Sequence, residues 1–282
     1  MRAVLGILVV LIIQAAALAQ FNAPIGVPPD QYRGELRHGP NTIRFCVDTR
    51  NPEWQVNRDI AQAVGEALLL NVEFFEFGYD YAPSAAQFVG IPENLLFIFL
   101  GDECEAFIGT RMSPFSKFPD WVITSRPYLA TGYVLAYRSD APVDPAQVLD
   151  RPDGPKVGIP VVSPMESAIG YYFPRTHRRI YPSEDAALEG LLQGEVDAAL
   201  LYELRLYALT AGDPGAAGIS TTVLSGVPAV EWEIGMSLNE DRAFTRNMID
   251  SAIAALAADG TIDRILAEYG YSGSALTRAA QP

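Results

Sequence analysis

Apolar positions along the chain fall into short runs between turn-forming clusters, and their spacing alternates between strand and helix periods. Thr42-Ile43-Arg44-Phe45-Cys46-Val47 reads as a strand ending in the turn-rich Asp48-Thr49-Arg50-Asn51-Pro52. Ile60, Ala63, Val64, Ala67 and Leu68 then place one apolar stripe on a helix over 57–70. Residues 72–77 predict a second strand, 95–100 a strongly apolar segment read as helical, and 104–108 a third strand. Strand, helix, strand, helix, strand implies a parallel sheet with crossover helices. Residues 109–120, with two prolines, predict a loop before Val122-Ile123-Thr124-Ser125 and a strand over 132–137.

A second α/β unit begins at Lys156-Val157-Gly158-Ile159. Ser163-Pro164-Met165-Glu166 has the form of a helix start, with Ser as cap, Pro in the first turn and Glu three residues on. Ser183 followed by Glu184 and Asp185 repeats that logic. Residues 196–201 predict a buried strand, 203–211 a helix and 230–237 a further strand. Helices over 242–258 and 261–269 are split by Asp259-Gly260. No repeat of 20–50 residues is visible.

The first nineteen residues have a different pattern. After Arg2, the stretch 3–18 carries one polar residue, Gln14, and ends in Ala17-Leu18-Ala19. This is the layout of a cleavable secretory signal peptide over 1–19. Residues 20–41, with Pro24, Pro28, Pro29 and Pro40, read as an extended arm. An exported mature chain of about 263 residues is expected, with periplasmic localisation and no membrane insertion of the mature part.

Hydrophobic content of 49% with only 19% charged residues excludes a disordered chain. The formal charge of −14 becomes about −15 without Arg2, which argues against nucleic acid or anionic lipid as the main partner. Two cysteines, Cys46 and Cys104, suit one disulfide in an oxidising compartment; two buried free thiols are the other reading. His38 and His177 stand far apart, so neither a metal site nor a nucleophile–base pair has its usual spacing. No metal and no cofactor is expected, and catalysis is not expected.

The order of motifs resembles the type II periplasmic solute-binding proteins, in the family 3 branch that includes amino-acid receptors. The matching pieces are Arg44 to Asp48, Ile108 with Thr124-Ser125-x-Pro127-Tyr128, and Val157-Gly158-Ile159. Ala187-Leu188-x-Gly190, Gly194-Glu195-Val196-Asp197-Ala198 and Ala257-Ala258-Asp259-Gly260-Thr261-Ile262 follow. The resemblance covers roughly 42–272 and implies an α/β, two-lobed fold with a cleft between the lobes. The first lobe would comprise 42–134 and 230–275 and the second 135–229, with 276–282 as a tail. Cys46 in the first strand and Cys104 before the third are further similar to proteins associated with periplasmic quinoprotein (PQQ) alcohol dehydrogenases, including the methanol-oxidation J proteins.

That resemblance implies a small organic ligand in the cleft, and either an ABC permease or a periplasmic quinoprotein dehydrogenase as the protein partner. It also implies an arginine about eight residues before Pro127-Tyr128 in amino-acid receptors. Pro119 stands there, so an ordinary free amino acid is not the expected ligand. The same fold includes dehydratases and lytic enzymes, which leaves a dehydratase-like activity as the rival class.

Ligands of such folds sit at the carboxyl ends of strands. Asp48 and Trp54 follow the first strand, Tyr79 and Tyr81 the second, and Thr110 and Arg111 the third. Arg111 is the candidate for gripping an anionic group, and Lys117 lies in the same connection. Tyr128 adds an aromatic face, Ser163 a helix N-terminus, and Tyr202 with Glu203 the opposite wall. Asp197 reads as structural. A planar or aromatic organic acid is the expected ligand, PQQ being one possibility.

Overall fold

The computed structural model describes residues 38–39, 41–78, 93–113, 116–141, 153–161, 164–224 and 231–271. β1 (Thr42–Asp48) buries Ile43, Phe45 and Val47 on one face and Cys46 on the other. α1 (Trp54–Ala67) packs Val56, Ile60, Ala61 and Val64 inward. Ile60 and Val64 belong to the expected stripe, whose Ala63, Ala67 and Leu68 are half-buried against the same core, and the helix starts and ends three residues earlier than expected. Leu69, at φ 58°, turns the chain into β2 (Asn71–Phe77), which runs parallel to β1 in full register from Thr42↔Asn71 to Asp48↔Phe77. α2 (Glu93–Ile98) continues into a π turn over Phe99–Glu103 and leads to β3 (Ala106–Met112).

After β4 (Val122–Thr124) comes β5 (Leu129–Arg138), the longest strand. Its first part pairs antiparallel with β10 (Glu231–Asn239), from Leu129↔Ile234 to Gly132↔Glu231. Its second part pairs antiparallel with β8 (Ala198–Tyr202), from Tyr133↔Tyr202 to Tyr137↔Ala198, and with β9 (Ile219–Val223). One strand thus serves two half-sheets. β6 (Val157–Pro160) lies parallel to β8 and to β7 (Arg178–Tyr181). The described strands run in the order β2-β1-β3-β10-β5-β8-β6-β7, with β4 on β10 and β9 on β5.

Helices α3 (Pro164–Tyr172), α4 (Glu184–Leu192) and α5 (Glu203–Leu209) belong to the second half. Ser183 caps α4, its hydroxyl accepting from Ala186 N–H at 3.2 Å, as the sequence predicts. α6 (Ala243–Ala258) and α7 (Thr261–Glu268) return to the first half and pack on α1. Asp197 Oδ2 accepts the backbone N–H of Lys156 at 2.8 Å, which ties β8 to β6 and accords with the structural role expected of it. Among the described residues no helix is long and apolar enough to cross a membrane.

Three elements differ from expectation. Residues 109–112 are strand rather than loop, because β10 pairs with them at Ile234↔Arg111 and Gly235↔Thr110. Cys104 precedes β3 rather than starting it, since its N–H closes the π turn on Phe99 O at 2.9 Å. β7 and β9 were not legible as strands; Arg178, Arg179 and Ile180 are all exposed, so no apolar alternation marks β7.

Cys46 and Cys104 form a disulfide, their Cα atoms 5.7 Å apart. β1 and β3 are paired at Cys46↔Phe107, which brings the two cysteines together inside a pocket of Phe77, Phe99, Leu100 and Phe107. A second contact joins the halves. Gly212 (φ +85°) follows α5, Gly270 (φ +82°) follows α7, and a Cβ on Gly212 would lie 2.8 Å from Gly270 Cα. An alanine cannot fit there, and its φ is unfavourable as well. Gly212→Ala is expected to destabilise the protein by about 2 kcal/mol, read by urea denaturation; an unchanged midpoint would show that the contact does not form.

Candidate functional site

The handover from β10 to β8 along β5 gathers three aromatic rings. Tyr133 and Tyr202 face each other in the β5–β8 ladder, and Trp232 pairs with Thr131 two residues upstream of Tyr133. Tyr202 stacks on Trp232 at 5.6 Å and 13°, and Tyr133 lies 5.7 Å from both rings. Such ring pairs contribute about 0.5–1.5 kcal/mol each beyond their buried area. Tyr207 and Tyr271 form a further pair at 5.7 Å at the joint between α5 and the end of α7.

Arg111, at the outer end of β3, lays its guanidinium over this cluster. Its Cζ is 4.8 Å from the Trp232 ring centre and 5.7 Å from that of Tyr202. One nitrogen donates to Glu53 Oε1 at 3.2 Å; the Glu53 side chain is 0% exposed and that of Arg111 40%. Glu53 is placed by the turn that follows β1, where Trp54 N–H donates to Asn51 O and Asn57 N–H to Glu53 O. The arginine therefore joins the first half, through Glu53, to Tyr202 of the second.

Burial and neighbouring groups act together on the titratable side chains around it. Burial works against the Arg111 charge, but the Glu53 carboxylate and the Tyr202 and Tyr133 hydroxyls hold its pKa above the ordinary arginine value. Burial pushes the Tyr202 hydroxyl well up, and Glu53 adds to this while Arg111 opposes it. Tyr271 is raised by burial and by Glu53. Glu184, in the first turn of α4, accepts the backbone N–H of Tyr202 at 3.1 Å. Burial raises its carboxyl to about 7, against the pull of that hydrogen bond, Arg205 and Arg111.

Several buried polar atoms here have no hydrogen-bond partner among the described residues. Glu53 Oε2 and Trp232 Nε1 are unsatisfied. Tyr202 Oη and Thr131 Oγ1 adjoin each other without forming a well-directed bond. Leaving a buried donor or acceptor unpaired costs about 1–3 kcal/mol, so the cluster concentrates unmet hydrogen-bonding capacity.

Of the expected site residues, Arg111 and Tyr202 come together here, and Glu203 follows Tyr202 at the start of α5, half-buried. Tyr128 is buried behind them; its hydroxyl donates to Asn57 Oδ1 at 2.9 Å and accepts from Gly109 N–H at 3.1 Å. Thr110 is buried against Ser237, hydroxyl to hydroxyl at 2.6 Å. Asp48 accepts from Arg50 at 2.7 and 2.8 Å in a buried pair that braces its own turn. Trp54 stands apart, in a shallow groove with Arg58, Asp59, Glu76 and Tyr269, where Arg58 pairs with Glu76 and Tyr269 with Asp59. Lys117 is exposed in the connection between β3 and β4. Tyr79, Tyr81 and Ser163 lie outside the described residues.

Glu53, Tyr133, Glu184 and Trp232 were missed by the sequence reading. Glu53 had a signal, an acid in the turn just after the first strand; the others depend on the sheet register. Among the described residues no group of three His, Cys, Asp or Glu side chains is placed to hold a metal ion.

No protein-family model matches the chain, and comparison with curated proteins finds no match. Solved structures do match. The L-cystine solute receptor of Neisseria gonorrhoeae, in an unliganded open conformation, gives a TM-score of 0.62 at 19% identity, over 82% of this chain and 94% of that one. The chain has the type II periplasmic solute-binding fold. An ancestral cationic amino acid solute binding protein gives 0.61 at 17% identity, over 86% of this chain and 99% of its own. A second structure, that of an ancestral amino acid-binding protein described as a precursor of cyclohexadienyl dehydratase, gives 0.51 at 17% identity over the same shares. In this fold, Arg111 and the three rings stand where the two half-sheets meet.

Proposed function

We propose that the protein is an exported solute-binding protein that captures a small organic, anionic or aromatic molecule between its two lobes. The lobes are 42–134 with 230–275, and 135–229; a signal peptide over 1–19 and an arm over 20–41 precede them. The observation that carries this reading is Arg111, which reaches from Glu53 of one half onto Tyr202 of the other. A ligand touching both halves stabilises the closed arrangement by the difference in its affinity for open and closed forms. Aromatic rings supply broad apolar contact, and a partly exposed arginine, with one nitrogen on Glu53, selects an acceptor group. The structural neighbours support the solute-binding role, since those compared bind amino acids. The closed form would be presented to a membrane permease in the periplasm.

A second reading rests on the Cys46–Cys104 pair, which joins the first strand to the segment before the third. It makes the protein an accessory of a quinoprotein dehydrogenase, with PQQ as one candidate ligand. Catalysis is not part of either reading, although one neighbour is a precursor of a dehydratase; turnover of an aromatic acid by the purified protein would overturn that judgement.

Thermal-shift screening of organic acids, amino acids and PQQ tests the proposal. A planar acid is expected to raise Tm, and Arg111→Ala to weaken its binding at least tenfold, the loss of one charge-assisted hydrogen bond of about 1.5–3 kcal/mol. A hit whose affinity is unchanged in Arg111→Ala would place the anion elsewhere. Stabilisation by a standard amino acid alone would show the ligand class to be wrong.

A further inference from the structure

Glu53 and Trp232 carry unmet hydrogen-bonding capacity of opposite sense beside the same guanidinium. Glu53 uses Oε1 on Arg111 at 3.2 Å, while Oε2, on a side chain 0% exposed, has no partner among the described residues. Trp232 is 9% exposed; its ring lies under Arg111 at 4.8 Å and against Tyr202, and its Nε1–H donates to nothing among the described residues. One group is an acceptor only and the other a donor only, so neither can satisfy itself by reorientation. Most buried polar atoms in folded proteins are paired, so two unpaired atoms of opposite sense in one cluster mark a place for a partner from outside.

We infer that Glu53 and Trp232 are ligand contacts, and that the solute is a planar molecule bearing an O–H or N–H donor for Glu53 as well as an acceptor for Trp232. This rests on the solute-binding reading above and narrows its ligand class. The donor is required because a carboxylate oxygen facing a methyl or a bare ring edge stays desolvated and unpaired, which is how polar sites reject isosteres. Arg111 supplies the third point: it fixes Glu53 through Oε1 and leaves Oε2 for the ligand. Glu53 has no exposed side-chain atom, so the ligand reaches it when the halves separate and Arg111 lifts off the rings.

The test uses the mature, oxidised protein and calorimetric titration with matched acids whose donor is present or capped. The pairs are 4-hydroxybenzoate with 4-methoxybenzoate and indole-2-carboxylate with its N-methyl form; PQQ is titrated alongside. The donor-bearing member is expected to bind at least tenfold more tightly. Glu53→Gln keeps an oxygen for Arg111 but presents an amide N–H to the ligand, and is expected to erase that preference. Trp232→Phe keeps the ring and removes the N–H; it is expected to weaken both members of a pair while leaving their ratio unchanged. Binding with a ratio near one that Glu53→Gln does not move overturns this inference and leaves the solute-binding reading standing. Absence of binding by every pair and by PQQ overturns both, and assigns the unpaired atoms to trapped water.

Discussion

Replacing Cys46 and Cys104 together by alanine is expected to lower the unfolding free energy by about 4 kcal/mol. The bond closes a loop with a sequence separation of 58, and the chain-entropy relation gives about 4 kcal/mol for a loop of that size. At this chain length each kcal/mol moves the midpoint by about 2–4 °C, so Tm should fall by roughly 10 °C. The bond also sits at the centre of the cluster of Phe77, Phe99, Leu100 and Phe107, and removing it leaves the π turn before β3 held by packing and by backbone hydrogen bonds such as that from residue 104 N–H to Phe99 O. Reducing agent should have the same effect on the wild-type protein and none on the double alanine variant. Two thiol equivalents titrated on unfolded, unreduced protein would refute the bond itself.

The second large effect is a pH dependence centred on Glu184. Its carboxyl is raised from the ordinary 4.5 to about 7, chiefly by burial. Between those values the native state holds a proton that the unfolded chain has released. Stability from this group is therefore fully present below pH 4.5 and declines as pH rises through 7, the reverse of an ion-paired carboxylate. The whole change is on the order of 3 kcal/mol. Glu184→Gln keeps an oxygen for the Tyr202 N–H and cannot ionise, so its stability should exceed that of wild type above pH 7 and converge with it toward pH 5. Parallel urea midpoints for the two proteins from pH 5 to 8 would rule this out.

The fold was readable because its signals are local and ordered. Gly194-Glu195-Val196-Asp197 and Asp259-Gly260 mark turns whose spacing fixes which helix follows which strand. β7 was not readable, because Arg178-Arg179-Ile180 is an exposed edge held by pairing with β6 and not by burial. Of the candidate site, Arg111 and Tyr202 were visible as residues at strand ends. Trp54 was the natural choice of tryptophan, following the first strand, yet α1 begins at that residue and turns its ring to the outer groove while Glu53 faces inward. Trp232 reaches the cluster through its pairing with Thr131, a register that no local pattern announces.

The backbones of Gly212 and Gly270 meet with no side chain between them, one from each half. With main chain on both sides, no side-chain rotamer change can relieve this contact. Any relative movement of the halves has to part or slide the two backbones at this point, so the pair acts as a seam between the end of α5 and the end of α7.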